Sequence, residues 1–288
     1  MEDYPGKMPP TPSNVDLSAD NFVDALIAGY VEASQKNATE SIRLRKVAGY
    51  AFRWRCEDGH LDVAKRLAER FGLTVGDAQS KDNYALRRSC ANGHLDVAKW
   101  LTERFGLTAK DARSIRPTNY DSILCESCVN GHLDVAEWLT ERFGLTAEDV
   151  RIRTNYALRR SCENGHLGVA KWLVERFGLT AEDARIGSIF DSTALGESCA
   201  NGHLAVAEWL TERFGLTTKD ARNSDNYALK RSCKNGHLGV AKWLVERFGL
   251  TAEDVRCENY HCDSALTWSR ENGHLDVEKW LMETFGLQ

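Results

Sequence analysis

The 288-residue sequence predicts an all-α protein built from stacked helix-turn-helix repeats, an α-solenoid. The dipeptide Gly-His recurs seven times, from Gly59-His60 to Gly273-His274, at spacings of 34, 38, 34, 37, 34 and 37 residues. Self-similarity at such a period indicates a repeat architecture. The residues that follow each His carry apolar side chains at helical spacing. We therefore expect one array over residues 46–288, although the length alone suggests about two domains.

Two segments precede the array. The stretch from Asn21 to Val31 is amphipathic, so it predicts a helix within residues 16–45 that covers the first repeat. Residues 1–15 are expected to be disordered. They contain acidic residues and prolines where a signal peptide would have a basic stretch and then an apolar one.

Each repeat begins with a short helix, such as Tyr84 to Cys90. Asn83 precedes it and is predicted to cap it, because Asn, Asp and Ser side chains satisfy free N–H groups at helix starts. Asn-Gly then ends the helix, since Gly readily takes the left-handed conformation. The equivalent capping positions hold Asp121, Asn155, Ser192, Asn226 and Asp263.

The second helix of a repeat runs from Leu95 to about Phe105 and has a broad apolar face. Its Trp, the sixth residue after each His, is expected in the core. The helix ends at an Arg-Phe-Gly-Leu sequence, which is typical of a Schellman stop. Thr-x-x-Asp follows, as in Thr108 to Asp111, and resembles a capping box that begins a short helical turn.

The terminal repeats differ from the others in ways that suit an end of an array. Arg66 replaces the repeated Trp in the first repeat. In the last, Arg270 replaces the repeated Cys and Glu278 replaces the repeated Ala. These changes place charge on faces that have no neighbouring repeat.

At this point the repeats resemble the ankyrin family. Asn-Gly-His-Leu with Asp-Val-Ala-Lys-Trp-Leu is similar to that family's Gly-His-Leu-x-Val-Val-x-Leu-Leu, and Ser192-Thr193-Ala194-Leu195 is similar to its Thr-Pro-Leu-His opening. The Pro is absent, the period exceeds 33 residues, and the Thr-x-x-Asp turn stands where the family has a hairpin finger. The resemblance implies a non-catalytic protein-protein interaction scaffold whose first helices line a concave face. We expect a protein or peptide to bind along that first-helix concave face and the linker edge.

Composition limits the possible partners and compartments. The net charge is −5, which argues against broad affinity for nucleic acids or anionic membranes. No uncharged run approaches the roughly 18 residues of a membrane span. Nine cysteines are an odd number, and they are expected to be thiols in a reducing compartment. We expect a monomeric intracellular protein, cytoplasmic or nuclear, whose partner is a protein or peptide.

The candidate partner-binding residues are first-helix and linker positions that vary while the rest of the repeat stays constant. Six residues before each His the charge alternates between Arg and Glu, with a Trp at each end. Aromatic and Arg side chains are enriched at binding hot spots. An internal charge ladder between repeats, with Tyr packed against the linkers, is the alternative. The predicted residues are Trp54, Tyr84, Arg87, Arg88, Glu126, Tyr156, Arg159, Arg160, Phe190, Glu197, Tyr227, Lys230, Arg231, Tyr260 and Trp268.

A metal- or redox-responsive module is the alternative function, because Cys precedes His by four residues in six repeats. The simpler interpretation is that the Cys is a small core residue and the His fixes the turn. Cys257, His261 and Cys262 form a tighter cluster in one linker but lack a fourth ligand. We therefore predict no metal, no cofactor and no catalytic residue.

Overall fold

The computed structural model describes residues 20–113, 122–187, 193–256 and 265–287. All regular structure in these residues is helical. The chain divides into two compact units, Met1–Ile123 and Leu124–Gln288, which we describe separately. The predicted disorder of residues 1–15 lies outside the described residues. None of the described helices is both long and apolar enough to span a bilayer.

Unit 1 contains the first two repeats and the helix that precedes them. Helix α1 contacts α2 and α3, and the rings of Tyr30 and Phe71 lie 4.5 Å apart. Helix α2 runs without a break across residues 45 and 46, where the predicted array begins. The boundary between the N-terminal helix region and the array stays a prediction. The helices are α1 (Asp20–Lys36), α2 (Ala38–Glu57), α3 (Leu61–Arg70), α4 (Val75–Ala78), α5 (Ser80–Ala91), α6 (Leu95–Phe105) and α7 (Ala109–Ala112).

Unit 2 contains the remaining repeats. The first helices α11, α14, α17 and α20 pack side by side, and each also packs against the second helix of its own repeat. The helices are α8 (Ile123–Val129), α9 (Leu133–Phe143), α10 (Ala147–Val150), α11 (Ile152–Glu163), α12 (Leu167–Phe177), α13 (Ala181–Arg185), α14 (Ala194–Ala200), α15 (Leu204–Phe214), α16 (Thr218–Ala221), α17 (Asn223–Lys234), α18 (Leu238–Phe248), α19 (Ala252–Val255), α20 (Ala265–Glu271) and α21 (Leu275–Phe285).

The predicted helix stops are confirmed. Gly165 ends α11 with φ +77°, and the next amide, of His166, donates to the Ser161 carbonyl at 2.8 Å. Gly178 ends α12 with φ +60°, and the Leu179 amide donates to the Val174 carbonyl at 3.2 Å. A left-handed residue at each helix end lets these amides satisfy carbonyls of the last turn.

The Thr-x-x-Asp turn is a capping box, as predicted. In each described copy the Thr side chain meets the backbone of the Asp, and the Asp carboxylate accepts from the backbone N–H of the Thr. The turn therefore begins a helix of four or five residues, α4, α7, α10, α13, α16 or α19. No strand replaces it anywhere in the described ranges.

The predicted cap of the first helix is wrong at Asn83, Asn155 and Asn226. All three have φ between +55° and +58°, whereas a capping residue has extended backbone. The side-chain amide of Asn83 instead donates to the Asp111 backbone carbonyl at 3.4 Å. The side-chain amide of Asn155 donates to the Asp183 backbone carbonyl at 3.2 Å. In α14 the cap is Thr193, one residue after the predicted Ser192. Asp121, Ser192 and Asp263 lie outside the described residues.

The core lies between the two helices of each repeat and between neighbouring repeats. Leu158 and Cys162 of α11, with Ala170 and Leu173 of α12, are fully buried. The repeated Trp is not: Trp172 is half-buried, as are its equivalents Trp100, Trp138, Trp209, Trp243 and Trp280. The ring of Trp172 packs edge-on against Phe177 of its own helix, with centroids 5.4 Å apart. The prediction that the repeated Trp lies in the core is therefore corrected, because these side chains lie at the edge of the core.

Candidate functional site

In unit 1 the predicted residues Tyr84 and Arg88 are tied to the end of the preceding first helix. The Tyr84 hydroxyl donates to Glu57 Oε2 at 2.5 Å, and the Arg88 guanidinium contacts Glu57 Oε1 at 2.7 Å. Partial burial and the neighbouring Glu57 carboxylate raise the pKa of Tyr84. These contacts fix both side chains between two repeats.

Trp54 lies on the exposed side of α2, together with residues outside the predicted set of partner-binding residues. Trp54 is 40% exposed and Tyr50 is 39% exposed. Arg43 and Lys46 are exposed on the same helix. Residues 46, 50 and 54 are four apart and therefore share one side of the helix. We call Arg43, Lys46, Tyr50 and Trp54 the α2 face.

Arg43 of the α2 face was not predicted because α2 begins earlier than the predicted array. Helix α2 begins at Ala38, capped by the side chain of Asn37, whose Oδ1 accepts from the Thr39 and Glu40 amides. The predicted array begins at residue 46, so Arg43 fell outside it. The Asn-Ala-Thr-Glu sequence at 37–40 is a helix-start signal that could have found this extension.

In three repeats, a second cation directly precedes the Arg of the alternating series, and the structure buries it. Arg87, Arg159 and Lys230 are 5%, 9% and 4% exposed. These three side chains are therefore almost wholly buried in the protein alone, and their contact with a partner stays a prediction. The Lys230 ammonium pairs with Asp225 at 2.7 Å, while the guanidinium of Arg87 lies over the Tyr84 ring.

In the middle of unit 2, Arg160 pairs with Glu163 of its own helix and lies 5.8 Å from the centre of the Tyr156 ring. In the predicted ladder, each Glu lies between Arg residues of neighbouring repeats. Arg160 does not follow this arrangement. Glu126 and Glu197 are half-buried. The Tyr227 hydroxyl donates weakly to Glu197 Oε2 at 3.5 Å.

At the other end of unit 2, cations stack on aromatic rings. Arg231 lies 5.4 Å from the Tyr227 ring centre and 5.3 Å from that of Trp268, and the Lys234 ammonium lies 4.7 Å from the Trp268 ring. Trp268 is half-exposed. The predicted residues Phe190 and Tyr260 lie outside the described residues.

A second ion-pair series was not predicted. The Asp of a capping box accepts from an Arg that lies about one repeat length earlier in the sequence, as in Arg45 with Asp77 at 2.8 Å. The signal was present, because an Arg follows most Thr-x-x-Asp-Ala/Val sequences. In unit 2 the pairs are Arg151 with Asp183, Arg185 with Asp220 and Arg222 with Asp254.

The Cys and His residues do not support the metal- or redox-responsive alternative. Every cysteine of the described ranges is a buried free thiol. Burial raises the pKa of Cys162 and Cys199, and that of Cys233 to about 12, which disfavours the reactive thiolate. No group of three or more potential metal ligands occurs among the described residues. Cys257, His261 and Cys262 lie outside them.

Comparison with known proteins gives a consistent result. Models of ankyrin repeats match residues 52–102 and 158–259, together more than half of the chain. The solved ankyrin repeat domain of human ASB11 matches with a TM-score of 0.60 and 18% sequence identity, over 82% of this chain and 98% of that one. At this identity the likeness shows the fold alone. A comparison with curated proteins gives no match.

Proposed function

The chain belongs to the ankyrin repeat family, and from that premise we propose that it is a non-catalytic scaffold that binds a protein or peptide along the exposed side of its first helices. Ankyrin repeats are generally protein-protein interaction modules. The family membership supports the type of function, and the side chains of the first helices support the surface.

The α2 face carries this proposal. Two aromatic residues, each about two-fifths exposed, lie beside two exposed cations on one side of a helix. Ile42, 60% exposed, extends the apolar surface. Aromatic and cationic residues are enriched among interface hot spots, and exposed apolar clusters mark interaction surfaces.

In unit 2 the stacked Arg231, Lys234 and Trp268 offer a surface of the same kind. The half-buried Tyr156 and Arg160 belong to the proposed surface as well, whereas the buried Arg159 and Lys230 require a separate interpretation. Phe190 and Tyr260 stay predictions. So do the monomeric state, the cytoplasmic or nuclear location and the absence of nucleic-acid binding.

The test is affinity purification of partners from native cells with a Lys46→Ala, Trp54→Ala variant. We expect recovery of partners to fall at least tenfold, because a hot-spot aromatic contributes about 2 kcal/mol or more to binding. Both side chains are exposed, so the fold should persist in circular dichroism.

The matched control is Val75→Ala, Lys99→Ala, which removes an exposed apolar residue and an exposed lysine away from the α2 face. It should recover partners as the parent protein does. Equal recovery by the two double variants would overturn the assignment of this surface.

A further inference from the structure

Three first helices carry a buried cation at the same position relative to a left-handed turn. These are Arg87 in α5, Arg159 in α11 and Lys230 in α17, none more than 9% exposed. Removing a charged group from water is unfavourable unless an opposite charge accompanies it. The three repeats can therefore be compared by asking which anion accompanies each cation.

Lys230 has an anion from its own repeat. Its ammonium lies 2.7 Å from the carboxylate of Asp225, five residues earlier on the left-handed turn, where φ is +57°. The Asp225 side chain is 71% exposed and the Lys230 side chain 5%. The carboxylate thus approaches the buried cation from the solvent side.

Arg159 has no such anion. The residue five positions earlier is Thr154. No hydrogen bond or ion pair joins Arg159 to any residue in the described part of the chain, and its buried Nε has no partner. Its guanidinium lies over the ring of Tyr156 at 5.6 Å. The flanking first helices have uncharged residues in register, Cys125 and Gly196.

The turn residue itself is unfavourable. Thr154 has φ +58°, in the left-handed region that β-branched residues rarely adopt. Asp tolerates this conformation better, and Asp82 and Asp225 occupy the equivalent positions with φ +57°. Asp at position 154 would lessen the backbone strain and provide Arg159 with an anion. The chain instead has a strained turn beside a buried guanidinium that is paired with no described residue.

We infer that Arg159 is the binding site for a carboxylate of an acidic side chain from the bound protein or peptide. This inference rests on the proposed function and names the partner chemistry at one position. The carboxylate would enter from the side that Asp225 occupies over Lys230. Tyr156 holds the guanidinium in place, and a guanidinium can bind a carboxylate through two parallel hydrogen bonds.

The test uses two fluorescein-labelled peptides, one of alternating Glu and Ala and one of alternating Gln and Ala, at about 0.15 M salt to limit long-range attraction. The parent protein should bind the Glu peptide at least tenfold more tightly. Thr154→Asp should abolish this preference, because the new carboxylate occupies Arg159. The same substitution should raise Tm by a few degrees.

Two control variants separate the site from general charge. Gly239→Asp adds the same charge on α18, at a position with no atom within 4 Å of a new Cβ, and should leave peptide binding unchanged. Asp225→Thr uncovers Lys230 and should keep or increase the preference for the Glu peptide. A parent-like preference in Thr154→Asp would overturn the inference, as would binding of a phosphoserine peptide without binding of the Glu peptide.

The failure of this inference is distinguishable from failure of the proposed function. If the scaffold proposal is wrong, neither the parent protein nor its variants will recover a partner from native cells through the first-helix surface. If only the Arg159 assignment is wrong, the parent protein and Thr154→Asp will recover the same partners equally.

Discussion

At the residue scale, the Gly of an Asn-Gly turn in unit 2 lies close to the His of the next repeat wherever a repeat follows. A Cβ on Gly165 would lie 2.6 Å from Nδ1 of His203. The equivalent distance from Gly131 to His166 is 2.7 Å. The repeated His therefore fixes the register between neighbouring repeats as well as its own turn. Its ring needs a glycine opposite it.

Gly165→Ala should destabilise the protein more than Gly178→Ala. Both glycines have positive φ, so each substitution carries a backbone penalty of about 1–2 kcal/mol. Only Gly165 also meets His203, whereas Gly178 has no atom within 4 Å of a new Cβ. Displacing the ring should add about 1 kcal/mol or more. Urea unfolding of the two variants measures the difference, and equal losses would contradict the packing argument.

At the element scale, the capping-box helix α13 is bonded to the start of α11, the first helix of the same repeat. Asp183 Oδ2 accepts from the Thr180 amide at 2.8 Å and from the Thr180 hydroxyl at 3.1 Å. Its Oδ1 accepts from Arg151 and from the Asn155 amide group, each at 3.1 Å. One carboxylate therefore starts α13 and attaches it to α11. These bonds hold the short helix against the first helix of its own repeat.

Asp183→Asn should lower the free energy of unfolding by about 1–3 kcal/mol, because it weakens several charge-assisted hydrogen bonds at once. The matched control is Asp134→Asn, the same change at an exposed position in the first turn of α9. The control should lose only a few tenths of a kcal/mol from the helix dipole. Chemical denaturation measures both, and a control loss as large as that of Asp183→Asn would refute the linking role of the carboxylate.

At the scale of the whole molecule, repeated contacts give the chain a repeated response to acid. Burial lowers the pKa of His166 and His237. Partial burial alone would raise the pKa of Asp183 and Asp254, but hydrogen bonds from Arg and Thr outweigh it and hold each pKa below its ordinary value of 3.8. Asp77 and Asp220 behave in the same way. All these shifts make protonation easier in the unfolded chain than in the folded one.

Stability should therefore fall in two stages as the pH decreases. Below the unfolded His pKa of about 6.5, the unfolded chain binds more protons at positions 166 and 237, so the free energy of unfolding decreases. A second decrease begins near pH 4, where the capping-box carboxylates start to be protonated in the unfolded chain. Urea unfolding between pH 7.5 and 3.5 measures both stages. His166→Gln, His237→Gln should reduce the first stage and spare the second; an unchanged first stage would exclude these histidines as its cause.

The exposed side chains of the proposed binding surface could be predicted in part. Trp54 and Trp268 stood out because they interrupt a constant repeat, and both are exposed or half-exposed. The burial of Arg87, Arg159 and Lys230 could not be predicted, because the direction of a long side chain depends on the neighbouring helix. The left-handed turn before these helices also escaped prediction, since Asn is favoured both as a helix cap and in the left-handed region.

The sequence by itself determined the repeat, its helix stops, the capping boxes and the ankyrin family, because these follow from short patterns that recur along the chain. The tertiary structure alone decided which charges are paired. Arg88 and Arg160 occupy the same repeat position, yet Arg88 pairs with Glu57 of another helix and Arg160 with Glu163 of its own. Partners of this kind depend on the distance between stacked helices, a quantity that local sequence periodicity does not contain. For the same reason, only the structure revealed that Arg159 is buried without an anion from any described residue.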